Sequence, residues 1–339
     1  MKKLMMLASA ASLAAFPLSA QEAKTYPAPG EIVVAAKASE WVTIAPSDLL
    51  VMDLAPDSKG KPRRVVIQLM PAPFSQGWVG NIRKLAAAKF WDGTSVNRVQ
   101  DNYVVQWGDA TEKKALPEGL AVVPESGYST KVGKEIDPKN VLPDFLAAYP
   151  DFAKKFPEIK KKDPKEFEAE LKKRWESHAD PYARTNRHLD GWPVGINYED
   201  GNFWPVHCYG MVGVGRNLSP DTGTGAELYA VIGHAPRHLD RNIALVGRVI
   251  EGIEHLSSLP RGTGALGFYE KEEERTPILS VRLGGEVAAL QPFEYLSTES
   301  TSFAAYANAR ANRRDPFFIR PAGGADICNI PVPVRRKGK

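Results

Sequence analysis

Two side chains in the stretch Phe90–Asp109, FWDGTSVNRVQDNYVVQWGD, could do chemistry together: Arg98 and Gln106. A guanidinium carries five N–H donors in a rigid fork and a permanent charge, so a fixed arginine can grip a carbonyl and face a lone pair. Taken alone, Arg98 reads as a surface arginine and Gln106 as an ordinary strand glutamine. Other reactive residue types offer less. The six histidines lack metal-ligand spacing, and His207-Cys208 is not one of the spaced ligand sets of zinc sites, so no metal or cofactor is expected. Gly210–Gly215 has the superficial look of a dinucleotide loop, but neither a helix pattern nor a placed acidic residue follows it. A strand running into a turn at Ser219–Gly225 accounts for it better.

The elements that must position the pair are legible in periodicity. Val79, Ile82, Leu85, Ala86 and Phe90 recur at helical spacing, with Arg83, Lys84 and Lys89 opposite. Asp92-Gly93 is a turn dipeptide, and strands follow at Ser95–Val99 and Tyr103–Gln106. Upstream, Trp41–Ile44, Leu49–Leu54 and Arg64–Met70 read as strands, while residues 21–40, rich in proline and alanine, read as an extended lead-in. Residues 110–204 form a long, charged, proline-punctuated segment expected to be an α-helical insertion. Within it, Asp163-Pro164-Lys165-Glu166 is a helix start, with an Asp N-cap, Pro in the first position and Glu three residues after the cap. Phe167, Leu171 and Trp175 then make one apolar stripe. Val141–Phe156 is expected to hold another short helix or two. Strands resume at His207–Val214, Leu228–Ile232, Arg241–Val249 and Ile278–Leu283. A C-terminal extension over 284–339 is expected to carry an alanine-rich helix within Thr301–Arg314 and a short strand at Ile327–Ile330. The basic run Arg335–Lys339 reads as a frayed, solvated terminus.

Two blocks of this chain together resemble the cyclophilin-type peptidyl-prolyl cis-trans isomerases. The first is Phe90–Val99 followed by Tyr103, Gln106, Gly108 and Asp109; the second is Gly225–Tyr229, His234–Asn242 and Val246–Val249. The resemblance implies a mainly β fold: a closed antiparallel eight-stranded barrel capped by helices, spanning 41–283 and interrupted by the insertion. It implies X-Pro isomerisation on proline-containing polypeptides, with Arg98 as the catalytic arginine and Gln106 as the residue orienting it. Tyr103, Val104, Tyr229 and Leu239 match positions that form the proline slot. Four positions depart from the family: Glu227 replaces a glutamine that binds substrate backbone, His238 a frequent tryptophan, Ile243 a common histidine, and Gly213 an asparagine. Glu227 is expected to be able to pair with Arg98, which would weaken or restrict catalysis. The alternative function is a proline-peptide-binding or chaperone module on the same scaffold.

The remaining features bound the setting. Lys2-Lys3, the apolar run Leu4–Phe16 and Leu18-Ser19-Ala20 have the make-up of a signal peptide over 1–20, implying export, with a bacterial periplasm as the expected destination. That run is too short for a membrane span, and no stable membrane insertion is expected after cleavage. The formal charge of +4 falls to +2 without Lys2 and Lys3, which gives no case for nucleic-acid binding. Cys208 and Cys328 are either a disulfide or two separate buried thiols, and spacing leaves both open.

Overall fold

The computed structural model describes residues 26–131, 157, 158, 163, 165, 180–197 and 200–338. Its strands in chain order are β1 (Trp41–Thr43), β2 (Leu49–Leu54), β3 (Arg63–Leu69), β4 (Ser95–Val99), β5 (Val104–Gly108), β6 (Thr130–Lys131), β7 (Thr185–Leu189) and β8 (Trp192–Asn197). They continue as β9 (Asn202–Pro205), β10 (Met211–Val214), β11 (Leu228–Val231), β12 (Leu245–Glu251), β13 (Thr276–Leu283), β14 (Phe293–Leu296) and β15 (Val334–Arg336). Eight of them close an antiparallel barrel in the order β10-β11-β5-β4-β13-β2-β3-β12, and β12 returns to pair with β10. Strand alternation sets the two faces. On β5, Val105 and Trp107 enter the barrel core, while Val104 joins a separate small apolar cluster on the outer face.

The helix Gln76–Ala87 buries Trp78, Val79, Ile82, Leu85 and Ala86, the stripe its periodicity requires, and all five belong to the barrel core. Asn81 on the same helix is buried too, and it acts as an anchor. Its Nδ2 donates to the Ala121 and Thr224 carbonyls at 2.9 and 3.0 Å, and its Oδ1 accepts from the Ala121 amide at 2.7 Å. Two loops that border the cleft described below are thereby tied to the helix.

The described part of the insertion carries a sheet, which the sequence reading did not expect, together with helical residues at 157, 158 and 165. Strands β6, β9, β8 and β7 form a four-stranded sheet in that order, and its Trp192, Val194, Ile196 and Phe203 are continuous with the barrel core. The cause is local. Asp190 and Gly191 both have positive φ, 47° and 84°, the requirement of a two-residue hairpin turn, and Asp-Gly is the dipeptide that meets it. Leu189 and Trp192 close that hairpin. The helix expected over 163–175 lies outside the described residues, apart from Asp163 Oδ1 accepting from the Lys165 amide at 2.8 Å, a capping contact. The expected helices in 141–156 lie outside them as well.

Other expectations are corrected by packing. The lead-in carries a helix, Pro29–Ala35, instead of extended chain. Proline opens it, the Glu31 carboxylate accepts from the Ala28 amide at 2.8 Å, and its Ile32 and Val33 pack with Phe303 and Tyr306 of the C-terminal helix Thr301–Ala311. Residues 327–329 form a helical turn capped by Asp326, not a strand. His207–Gly210 turns before the strand begins at Met211, with Gly210 at φ 79°. The basic tail is ordered: β15 pairs with β14, Arg335 lies 3.7 Å over the Trp41 ring and bonds Glu294, and Arg336 pairs with Glu251. The sheet β1-β14-β15 covers the outer side of β2 and β3, where Val51, Val66 and Phe293 share one cluster. Cys208 and Cys328 form a disulfide that ties the extension to the barrel. Among the described residues, no helix is long and apolar enough to cross a membrane, and no group of ligating side chains could hold a metal ion.

Candidate active site

Four predicted residues fall in one register row across four neighbouring strands. Arg98 on β4 is opposite Gln106 on β5, Gln106 opposite Tyr229 on β11, and Tyr229 opposite Gly213 on β10. A register shift between Val96 and Arg98 on β4 brings the arginine into that row.

Arg98 is held from three sides. Its Nη1 donates to Gln106 Oε1 at 3.1 Å, its Nη2 to Gln100 Oε1, and its Nε to the Leu266 carbonyl at 2.8 Å. The Tyr103 and Phe268 rings flank the guanidinium, with centroids 5.7 and 5.3 Å away. Burial draws its pKa below the usual guanidinium value. Three engaged N–H groups out of five leave donors for a ligand.

A cleft of about 640 Å³ opens beside the fork, lined by Arg98, Tyr103, Val104 and Gln106 from one hairpin. Glu227, Tyr229, Leu239 and Ile243 line it from the second block. Val104 and Tyr229, with Tyr103 and Ile243 packed against them, make its apolar wall, and the fully buried Val231 backs it. Gly213 lies beneath the Tyr229 ring, and a Cβ there would overlap that ring, so the glycine is what seats the tyrosine. His238 is exposed on the neighbouring turn and does not line the cleft.

Glu227 does not pair with Arg98 as expected. Gln106 stands between them, accepting from Arg98 on one side and donating to Glu227 Oε2 at 3.3 Å on the other. The Glu227 pKa is pushed up to about 7, chiefly by burial. Hydrogen bonds from Gln106 and Asn97 oppose that rise, and the neighbouring Asp109 and Glu112 add to it.

Several supporting residues have no role assigned to them from sequence. Behind the slot, His207, 0% exposed, contacts the Tyr229 hydroxyl through Nε2 at 2.8 Å and Asp240 Oδ1 through Nδ1 at 2.8 Å. Asp240 Oδ2 accepts from Arg237 Nε at 2.7 Å, and Arg237 Nη2 donates to Asp180 at 2.7 Å. Leu266, Phe268 and Gln100, which hold Arg98, were equally unmarked, because each meets the arginine through tertiary folding or a backbone carbonyl.

The comparisons with known proteins bear on the family and the fold. The family profile described as cyclophilin type peptidyl-prolyl cis-trans isomerase/CLD matches residues 61–283. A crystal structure of a cyclophilin from Hirschia baltica aligns with a TM-score of 0.57 at 19% identity, covering 87% of this chain and 92% of that one, and shows the shared fold. A cyclophilin type peptidyl-prolyl cis-trans isomerase of Cryptosporidium parvum, crystallised in the presence of the dipeptide Ala-Pro, aligns at 10% identity with a TM-score of 0.35, covering 69% of this chain and 98% of that one. No curated protein sequence matches the chain significantly. With the profile spanning most of the barrel and its connections, the chain belongs to the family of cyclophilin-type peptidyl-prolyl cis-trans isomerases.

Proposed function

We propose that this cyclophilin accelerates cis-trans exchange of X-Pro bonds in exported polypeptides, with Arg98 as the electrostatic catalyst and Gln106 as its positioning residue. The barrier is amide resonance, ~18–20 kcal/mol, and its removal needs no nucleophile, metal or coenzyme. A catalyst must hold the twisted amide better than either planar isomer. A fixed cation aimed at the prolyl nitrogen, beside an apolar slot for the ring, does this with pre-oriented charge.

One observation carries the reading: a clamped guanidinium, bonded by two amides and a carbonyl, beside the outer-face apolar cluster of Val104, Tyr229 and Val231. Among the described residues no carboxylate forms an ion pair with Arg98, and Gln106 separates it from Glu227. The expected competition between Glu227 and substrate for the arginine therefore has no support, and weak turnover is not anticipated on that ground.

The test is X-Pro exchange in short peptides, measured on the chain lacking residues 1–20 and on its Arg98→Ala variant. Removing a pre-oriented charge costs ~100-fold or more, so acceleration should be lost at that scale while the fold persists. Peptide binding without exchange by the unmodified protein would replace the isomerase reading with the chaperone one. Export is tested separately, by fractionating cells and sequencing the N-terminus. A periplasmic product starting near Gln21 supports export, and an intact cytoplasmic chain rejects it.

A further inference from the structure

The cleft contains a carboxylate that isomerisation does not require. Glu227 lies over Gly108 and beside Gly215, and a Cβ at position 108 would overlap its carboxylate, so two glycines make room for it. Its protein donors are Gln106 Nε2, at 3.3 Å, and the Asn97 side chain. The cleft has three arginines, and none forms an ion pair with it among the described residues. Arg98 is committed as described, Arg216 donates to the Asn242 and Asn217 carbonyls, and Arg275 lines the wall with its Nε buried and without a hydrogen-bond partner.

A second acceptor sits beside it. Asn97 is 6% exposed, lines the same cleft, and its Oδ1 has no hydrogen-bond partner. Buried acceptors without donors, and enclosed carboxylates without cations, are costly to maintain. Asp109 and Glu112 line the same end and add negative potential there. A ligand group carrying a positive charge and several N–H donors satisfies all of these demands together; an ammonium or a guanidinium is such a group.

Its place on the substrate follows from spacing. Glu227 precedes Tyr229 by two residues, which puts it on the same side of the sheet and about 7 Å along from the apolar slot. An extended peptide covers that span in about two residues. We propose that this cleft selects X-Pro segments bearing a lysine or arginine one or two residues from the proline, with Glu227 and Asn97 as acceptors for the cationic head. The proposal rests on the isomerase reading above and names its substrate class.

The experiment compares matched peptides with lysine or glutamate placed one and two residues to either side of a single proline. Exchange is followed for the unmodified chain and for Glu227→Gln. At low salt kcat/KM should favour lysine over glutamate by about 10-fold at one position, a coupling of the size close charge pairs supply. In Glu227→Gln that ratio should fall toward one, whatever the variant's absolute rate, and added salt should shrink it in the unmodified chain. Equal treatment of the two peptides, or a ratio that survives Glu227→Gln, overturns the proposal. If no peptide is exchanged, the isomerase reading fails on its own. Dissociation constants of the same peptide pairs from NMR titration then decide the proposal by the same ratio.

Discussion

Replacing His207 with leucine tests how the proline slot is held in place. Asp240 is paired with Arg237, so it is the acceptor toward His207, and Nδ1 carries the proton. Nε2 is then an acceptor, and the Tyr229 hydroxyl donates to it at 2.8 Å. Burial raises the tyrosine's pKa well above its ordinary value, so it keeps the proton it donates. In His207→Leu the hydroxyl, on a residue 4% exposed, loses its acceptor at a cost of ~1–3 kcal/mol, and Asp240 loses one charged hydrogen bond worth ~1.5–3 kcal/mol. The variant should be destabilised by ~2.5–6 kcal/mol, and the ring, no longer tethered above Gly213, should raise KM for X-Pro peptides. Tyr229→Phe leaves Nε2 unsatisfied and should cost ~1–3 kcal/mol. In the double variant neither group is stranded, so ~1–3 kcal/mol should return, together with part of the lost affinity. Urea midpoints and peptide KM for the four proteins measure this cycle. Additivity within ~0.5 kcal/mol, with KM unchanged in His207→Leu, would refute the tether.

Two further outcomes follow from the same chemistry. Glu227 has a folded pKa of about 7 against 4.5 for the free group, so the folded chain retains a proton that the unfolded chain releases between those values. Stability should therefore fall as pH rises from ~4.5 to ~7, by up to ~3 kcal/mol from this group, and Glu227→Gln should flatten the slope; parallel urea profiles for the two proteins would count against it. The Cys208–Cys328 disulfide closes a separation of 120 residues, for which chain entropy predicts ~5 kcal/mol. Cys328→Ser should lower the unfolding midpoint accordingly, and a midpoint indifferent to both the substitution and reductant would show that the extension is held by packing alone.

What could be read from sequence, and what could not, divides along distance in the chain. Arg98, Tyr103, Val104 and Gln106 belong to one hairpin, where alternation alone sends Val105 and Trp107 inward and leaves their neighbours on the outer face. The hairpin of the insertion had an equally local signal in Asp190-Gly191, which a reading of the segment as α-helical passed over. Arg335 and Arg336 looked unpartnered because Glu294, Glu251 and Trp41 lie far back in the chain. Leu266 meets Arg98 across a separation of 168 residues through a backbone carbonyl, a contact no residue type announces.

The Glu227 misreading has a different origin. An acid and an arginine assigned to one pocket invite a pairing, and composition contains nothing against it. Strand order does. Arg98 is on β4 and Glu227 abuts β11, while the barrel runs β11-β5-β4, so a full strand separates them. The β5 residue opposite Arg98 is Gln106, whose amide accepts from the guanidinium and donates to the carboxylate. A lysine at position 106 would neutralise the acid but repel the arginine, and a glutamate would do the reverse. Only a side chain with one acceptor end and one donor end serves both neighbours, so the carboxamide at 106 is what lets this cleft keep an acid and an arginine side by side without cancelling either.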